Sequence, residues 1–333
     1  MAEVILKGVS KSFKSTHALT DVDLTVPDGA FVVLLGPTGA GKTTTLRLIA
    51  GLERADTGDI LIDGERVNTL TPAQRDVAMV FQQYSLYPHM TVRENLAFPL
   101  RSPILKTPEE EIASKVAAVA EVLHIPHKLD NKATELSGGE MQRVSIGRAL
   151  VRDPLIYLMD EPLSSLDAKL RADLRIELKR IHAELAATLL YVTHDQIEAM
   201  TMATHVGVLD EGRLVQFGTP RDIYENPQTA YVAARLGQPR INLLPVGLLD
   251  EGTAPPGAHQ IGLRPENIKQ GAGREATIIR VERLGDQTRL HLKVADHDVI
   301  TLTDPHTSLA AGETIRIAPE NPVYFDARGA RIT

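Results

Sequence analysis

Short apolar runs alternate with amphipathic stretches over residues 1–237. This order is typical of an α/β domain with a largely parallel sheet. The runs 155–159 and 189–192 are continuous and apolar, which predicts two buried strands with polar residues at their ends. Leucine or isoleucine recurs at helical spacing over residues 170–185, which predicts a long amphipathic helix. Another helix is predicted to begin at a capping box over residues 107–110, with proline at its first helical position.

The pattern changes over residues 238–333, where short segments separated by glycine, proline and aspartate replace the long helical stretches. Residues 288–294 alternate strictly, with Leu290 and Leu292 on one face and polar or charged side chains on the other. Several strands of this kind predict a small all-β domain, a barrel of the OB type. The expected organisation is therefore an α/β domain over residues 1–237 followed by a β-barrel domain.

Length, charge and cysteine content limit the possible chemistry. The 333 residues suit two domains, and the net charge of −7 gives no overall electrostatic reason to bind nucleic acid or an anionic membrane. The absence of cysteine excludes disulfides, thiolate nucleophiles and Cys-ligated zinc, and it fits a reducing cytoplasm. The longest apolar run, residues 30–35, is far shorter than the roughly 18 residues of a spanning helix, and the N-terminus lacks the regions of a signal peptide. We therefore expect any membrane role to come through a partner.

A glycine-rich stretch follows the apolar run 30–35 and precedes a helical pattern over residues 44–50. It matches the nucleotide-phosphate pattern at every fixed position, and a strand, a loop and a helix in this order are the context that the pattern requires. The glycines let backbone N–H groups converge on phosphate oxygens, while Lys42 can reach the β- and γ-phosphates and Thr43 can bind Mg²⁺. The predicted phosphate-binding residues are Gly36, Pro37, Thr38, Gly39, Ala40, Gly41, Lys42, Thr43 and Thr44.

A second motif, LSGGE over residues 136–140, opens another predicted helix. Ser137 and Glu140 have the spacing of a capping box, and taken alone that interpretation is the simpler one. A hydroxyl and two glycines at a helix N-terminus would also cradle a phosphate, here without a lysine. The residues of this second cradle would be Ser137, Gly138 and Gly139.

With these two motifs the chain resembles the ABC ATPases, whose signature sequence reads much like LSGGE, and further motifs follow in the family's order. The resemblance implies that Phe13 stacks on adenine and that Gln82 contacts Mg²⁺ or the attacking water. Asp160, at the end of its apolar run, resembles the family's metal ligand, so the implied metal set is Thr43, Gln82 and Asp160. Outside the family these side chains would be ordinary packing, loop and strand-end residues.

Three more residues gain a role from the same resemblance. Glu161 would polarise water as a general base, and His194 would bond the γ-phosphate as the switch histidine. Asp167 lies in a stretch that resembles the D-loop, which crosses a dimer interface in the family. The implied catalytic residues are Glu161, His194 and Gln82, and the implied cofactors are ATP and Mg²⁺. Without the family, His194 would be interpreted as a capping or core histidine.

The resemblance is closest to the ATPase subunits of maltose-type and glycerol-phosphate-type importers, which carry a C-terminal barrel and a stretch like GLRPEN, residues 262–267. It implies a homodimer that closes around two shared ATP molecules, two transmembrane permease subunits, an indirectly coupled solute-binding protein and no nucleic acid. The expected location is peripheral, on the cytoplasmic face of the inner membrane. The expected function is to energise uptake of a sugar or a similar small polar solute.

The main alternative is a soluble ABC ATPase that acts on nucleic acid or the ribosome. That class predicts a tandem second cassette or a long coiled-coil insertion, and the sequence lacks the heptad pattern for one. A P-loop kinase leaves LSGGE and the barrel unexplained. A protein that binds ATP only as a regulatory ligand would differ in showing no magnesium-dependent phosphate release.

Overall fold

The chain divides into two compact units, Met1–Pro220 and Arg221–Thr333. Each unit has its own hydrophobic core. Across the described part of the chain, no helix combines the length and the apolar character that spanning a bilayer requires. The computed structural model describes residues 2–102, 105–250, 252 and 254–332.

Strands and helices alternate along the first unit. Its strands are β1 (Val4–Phe13), β2 (Thr16–Val26), β3 (Phe31–Leu35), β4 (Thr57–Ile62), β5 (Glu65–Arg66), β6 (Val77–Val80), β7 (Ile156–Asp160), β8 (Leu189–Thr193), β9 (His205–Asp210) and β10 (Arg213–Gly218). Its helices are α1 (Lys42–Ala50), α2 (Val92–Ala97), α3 (Glu109–Val122), α4 (Gly138–Leu150), α5 (Ala168–Leu185) and α6 (Gln196–Met202), with short 3₁₀ turns at Pro72–Gln74, Pro126–Lys128 and Ala133–Glu135.

The central sheet of the first unit has the strand order β10-β9-β3-β8-β7-β6. Its neighbouring strands run parallel, except that β9 and β10 form an antiparallel pair. β3, β7 and β8 are buried along their whole length, as expected of parallel strands that are covered on both faces. An antiparallel sheet in the order β2-β1-β4-β5 shares the hydrophobic core of the central sheet. The predicted parallel sheet and its two buried strands are confirmed.

The carboxyl ends of three central strands meet at one edge of this sheet. Leu35 of β3 pairs with Thr193 of β8, and Asp160 of β7 pairs with Val192. The residues that follow these strands are therefore brought together. In open α/β sheets this edge is where ligands bind.

The helix prediction for residues 170–185 is confirmed, because α5 covers this stretch and buries Leu174, Leu178 and Ile181. The prediction of a capping box over residues 107–110, with proline at the first helical position, is wrong. α3 begins at Glu109, with Pro108 in extended backbone conformation at the cap position and no side-chain cap bond in the described residues. Its first turn is instead rich in glutamate, which the positive end of the helix dipole favours.

The second unit is built mainly from antiparallel strands. One sheet has the order β11-β12-β17-β18 and the other has the order β15-β14-β13-β16. β14 covers the predicted residues 288–294 and buries Leu290, Leu292 and Val294, so the predicted all-β character is confirmed. The elements of this region are α7 (Pro220–Glu225), α8 (Ala230–Arg235), β11 (Asn242–Pro245), β12 (Gln260–Leu263), β13 (Ile268–Arg283), β14 (Thr288–Val294), β15 (His297–Thr303), β16 (Thr314–Pro319), β17 (Val323–Phe325) and β18 (Arg331–Ile332).

Residues 221–237, which the sequence analysis assigns to the first domain, lie in the second compact unit. The buried guanidinium of Arg264 donates to the carbonyl oxygens of Tyr224 (2.9 Å), Ala233 (3.1 Å) and Leu236. It also lies 3.9 Å from the centre of the Tyr224 ring. A single buried cation thus ties the short helices α7 and α8 to the strands. No hydrophobic pattern in the sequence marks such a contact.

Candidate nucleotide-binding site

The glycine-rich loop connects β3 to α1 and needs glycine for steric reasons. Gly41 has a φ angle of 100°, and a Cβ atom there would lie 2.6 Å from the carbonyl oxygen of Ala18. The Lys42 ammonium folds back over the loop and donates to the carbonyl oxygens of Gly36 (2.9 Å) and Pro37 (3.0 Å). The loop is therefore a tight turn with a buried cation at its centre.

The first turn of α1 borders a cavity of about 360 Å³. Within the described residues no side chain caps this helix, so the N–H groups of its first turn are open to an anion, which the helix dipole also favours. The cavity brings most of the predicted phosphate loop together with Gln82 and Glu161. Its lining residues are Thr16, Ala18, Thr38, Gly39, Gly41, Lys42, Thr43, Thr44, Gln82 and Glu161.

Two oxygen donors meet at the base of the loop. The Thr43 hydroxyl donates to Oδ1 of Asp160 at 2.9 Å. Burial raises the pKa of the Asp160 carboxyl, and the hydrogen bond from Thr43 opposes that rise. Hydroxyl and carboxylate oxygens are ligands that Mg²⁺ prefers, and the ion usually takes only one or two carboxylates besides substrate phosphates and water. The donor set formed by Thr43, Asp160 and the nearby Gln82 amide therefore fits magnesium.

The Glu161 side chain lies between Lys42 of the glycine-rich loop and His194. β7 ends at Asp160, and Glu161 has a φ angle of 44°. Its side chain therefore does not follow the alternating directions of a strand. Its carboxylate lies 3.6 Å from the Lys42 ammonium and 3.1 Å from Nδ1 of His194. Burial lowers the pKa of Lys42, while the carboxylates of Glu161 and Asp160 oppose the shift. The structure thus brings the predicted catalytic pair into direct contact beside the phosphate loop.

The predicted adenine-stacking residue lies apart from this cavity. Phe13 is 42% exposed, and the Lys11 ammonium lies 5.1 Å from the centre of its ring. Among the described residues it is not part of the cavity lining, which begins at Thr16 of β2. Phe13 pairs with Thr16, which lines the cavity, and a partly exposed aromatic ring is a surface on which a planar ligand can stack.

The second predicted cradle forms the capping box that its spacing indicates. Ser137 caps α4, and the carboxylate of Glu140 accepts from both the backbone N–H and the hydroxyl of Ser137 at 2.8 Å. Gly139 has a packing reason of its own, because a Cβ atom there would lie 2.1 Å from a methyl carbon of Leu170. Ser137, Gly138 and Gly139 do not line the described cavity. The structure therefore separates them from the phosphate loop of the same chain.

The predicted D-loop residue Asp167 caps a helix as well. Its carboxylate accepts from the backbone N–H of Leu170 at 3.0 Å and begins α5. Sequence reasoning missed Thr16 and Ala18, which line the cavity from β2. No residue type or spacing marks them. Gly41 could have indicated that another backbone segment passes close to the loop. In the structure this segment is the backbone at Ala18.

Comparison with known proteins agrees with this geometry. The family described as ABC transporter matches residues 19–164, and the TOBE domain family matches residues 261–323. The chain is 42% identical over 365 residues to the uncharacterized ABC transporter ATP-binding protein YurJ of Bacillus subtilis, with 98% of each chain covered. It is 44% identical over 351 residues to the sn-glycerol-3-phosphate import ATP-binding protein UgpC of Rhizobium meliloti, with 100% of each chain covered.

Solved structures resemble the first unit. The ATP-binding cassette MJ0796, in a dimeric post-hydrolysis state bound to ADP and Pi, superposes with a TM-score of 0.59 at 32% identity. The match covers 66% of this chain and 99% of that one. Because its relatives are similar over their full length and its phosphate loop has the required geometry, the chain belongs to the ATP-binding proteins of the ABC transporter family, which are ATPases.

Proposed function

We propose that this protein is the ATP-hydrolysing subunit of a binding-protein-dependent importer for a sugar, a sugar phosphate or a similar small polar solute. The observation that carries the hydrolytic role is the Glu161 carboxylate, which contacts both the Lys42 ammonium and His194 at the edge of the cavity. The solute class is supported by the relatives named sn-glycerol-3-phosphate import ATP-binding protein.

In this proposal the loop and the first turn of α1 bind the ATP phosphates, and Phe13 stacks on the adenine. Lys42 exchanges part of its contact with the loop carbonyls for the β- and γ-phosphates. Thr43, Asp160 and Gln82 would hold Mg²⁺, which supplies neutralisation of the phosphate charge when bound. The oxygen donors at 2.9 Å from each other support this assignment.

Glu161 then acts on the water that attacks the γ-phosphate. A carboxylate at the cavity edge can orient this water and accept its proton. His194, bonded to Glu161 through Nδ1, fixes the carboxylate and has its other ring nitrogen available for the γ-phosphate. Positioning and charge stabilisation are expected to supply most of the catalysis.

The proposed active form is a homodimer. Ser137, Gly138 and Gly139 do not line the cavity of their own chain, so we assign them to the γ-phosphate bound by the opposite subunit, with Asp167 at the interface. The dimeric structure of MJ0796 supports the proposal of a dimer. ADP lacks the phosphate that would join the two subunits, so hydrolysis would weaken the dimer.

Two permease subunits and a solute-binding protein complete the proposed transporter. The loop over residues 82–89 links Gln82 in the cavity to exposed residues, and we propose that it passes the motion to the permeases. The protein would then lie peripherally on the cytoplasmic face of the inner membrane. This location follows from the proposed partners.

Magnesium-dependent phosphate release from the full-length protein tests the hydrolytic role. Glu161→Gln should keep ATP affinity while lowering turnover by roughly 10²-fold or more, because a positioned base is lost. Glu110→Gln, an exposed glutamate in α3, is the matched control and should behave as the wild type. Turnover of Glu161→Gln close to that of the control would refute the role, and an absence of phosphate release from the wild type would favour a regulatory ATP site.

A further inference from the structure

The turn after β7 and the turn after β8 flank the hydrolytic carboxylate. The first, residues 163–167, follows Glu161 closely, and its Ser164 hydroxyl donates to the Glu161 carbonyl oxygen at 2.9 Å. The second, residues 194–195, follows β8 and carries His194. Residues 163–167 and 194–195 lie outside the strands, so no ladder hydrogen bond between β7 and β8 joins the two turns in the described part of the chain.

One side chain of α5 contacts both turns. Nε and Nη2 of Arg171 donate to the carbonyl oxygens of Leu163 (3.3 Å) and Leu166 (2.8 Å) in the first turn. Nη1 of the same guanidinium lies 3.7 Å from Oδ2 of Asp195 in the second turn. The planar guanidinium presents several N–H donors in a fixed fork, so a single rigid group spans the two turns.

Asp195 is itself well anchored, which makes it a firm partner for this contact. Its Oδ1 accepts from the backbone N–H of Ile197 at 2.7 Å and begins α6, while its own N–H donates to the Thr193 hydroxyl at 3.0 Å. The carboxylate is 21% exposed and the Arg171 side chain is 30% exposed. His194 therefore lies between Thr193, which ends β8, and Asp195, which caps α6.

We propose that Arg171 is a positioning residue for hydrolysis: it holds the turn 163–167 and the turn 194–195 at a fixed distance from each other, so that His194 keeps its hydrogen bond to Glu161. This inference rests on the proposed roles of Glu161 and His194. It also makes the two turns move together, because a displacement of the first turn by a partner subunit would be transmitted through the guanidinium to the histidine turn.

Arg171→Lys tests the proposal, because a lysine ammonium is too small to span both turns. In full-length protein we expect kcat for ATP hydrolysis to fall about 10-fold, with KM and ATP affinity changed less than about 2-fold. Arg175→Lys, one turn further along α5, is the matched control, since Arg175 makes no hydrogen bond or ion pair within the described residues. A kcat for Arg171→Lys equal to that of the control would overturn the proposal, as would a parallel loss of ATP affinity and thermal stability.

Asp195→Asn approaches the same contact from the other turn. The amide oxygen can still cap α6, so the fold is preserved and only the charge facing Arg171 is lost. We expect kcat to fall about 3-fold at unchanged ATP affinity, and the double variant with Arg171→Lys to be no slower than Arg171→Lys alone. An unchanged kcat in Asp195→Asn, or a double variant whose two losses multiply, would contradict the link.

Glu161→Gln measured alongside separates this inference from the proposed function. If Glu161→Gln hydrolyses ATP at the wild-type rate, the catalytic assignment fails and the positioning role fails with it. If Glu161→Gln is inactive while Arg171→Lys is fully active, only the positioning role is refuted.

Discussion

Two helices in the first unit begin at glycine-rich sequences but differ in capping and in the charge beside their first turns. α1 begins after a glycine loop, has no side-chain cap in the described structure, and has the buried ammonium of Lys42 beside its first turn. The first two residues of α4 are glycines, but Ser137 and Glu140 form a complete capping box. The cation next to α4, Lys128, is already paired with Glu140 at 3.0 Å.

The difference shows which cradle can bind a phosphate alone. At α1 the open N–H groups, the helix dipole and a cation all face one cavity. At α4 the carboxylate of Glu140 accepts from the backbone N–H and the hydroxyl of the cap residue Ser137, and the backbone N–H of Glu140 donates to that hydroxyl. An incoming phosphate therefore meets a negative charge and fewer open N–H groups than at α1. This difference fits the proposed role of the α4 start, which is to contact a phosphate that the opposite subunit already binds.

Lys42→Ala should give the largest difference between the two helix starts. Two or more charge-assisted bonds to phosphate are lost, each of roughly 1.5–3 kcal/mol, so ATP affinity should fall by roughly 10²-fold or more. Ser137→Ala, the matched change at α4, should leave ATP affinity of the isolated chain within about 2-fold. Calorimetric titration of ATP into both variants measures this. Equal ATP affinities for Lys42→Ala and Ser137→Ala would mean that the loop is not the primary phosphate site.

The sequence predicts the local geometry of both helix starts, and the reason is physical. The phosphate loop depends on local geometry: Gly41 has positive φ, and Lys42 bonds to carbonyls five and six residues away. Such short-range constraints appear in the sequence as fixed residue types at fixed spacing. The capping box of Ser137 and Glu140 is equally local and was also predicted correctly.

Long-range contacts explain what the sequence did not show. Ala18 lines the cavity because β2 passes beside the glycine loop, and Arg264 draws α7 and α8 into the second unit through backbone carbonyls. The Arg171 contacts with two separate turns are of the same kind. Every residue has a backbone carbonyl group. A side chain that binds such carbonyls therefore does not require a particular residue type at the partner position, and the sequence shows no sign of the contact.

Ser137→Arg should show whether the α4 cradle acts between subunits. In residues 1–220 carrying Glu161→Gln, we expect a dimer with ATP, a monomer with ADP, and a monomer with ATP once Ser137→Arg is added. Two sites of two or three charge-assisted bonds give a gross stabilisation of about 6–18 kcal/mol. Association costs about 4–15 kcal/mol, so the margin is small and a bulky arginine should exceed it.

Light scattering at matched protein concentration with saturating nucleotide measures this dimer. The shortened chain is used so that the dimer measured is one formed by the first unit alone. It should bind ATP as the full chain does, since all residues that line the cavity lie in the first unit. An ATP-dependent dimer that survives Ser137→Arg would show that the α4 cradle does not act across the interface.

Glu140→Gln should have the smallest effect, on stability rather than on binding. The Ser137 backbone N–H is the main cause that lowers the pKa of Glu140 to about 2, with Lys128 contributing to the shift. A carboxyl whose pKa is lower in the folded state stabilises the fold fully above its unfolded pKa of 4.5 and loses that contribution as the pH falls towards 2. The variant should therefore be less stable than the wild type by about 0.5–1 kcal/mol at pH 7, a typical value for a cap, and this difference in the free energy of unfolding should disappear between pH 4.5 and pH 2.

Urea denaturation at intervals over this pH range measures the difference. Glu110→Gln in the first turn of α3 is the control, because it removes a first-turn charge from a helix without a side-chain cap. If the difference in stability does not change with pH, Glu140 stabilises α4 by packing and not by its charge. The contrast between the charges at the two helix starts would then not be supported.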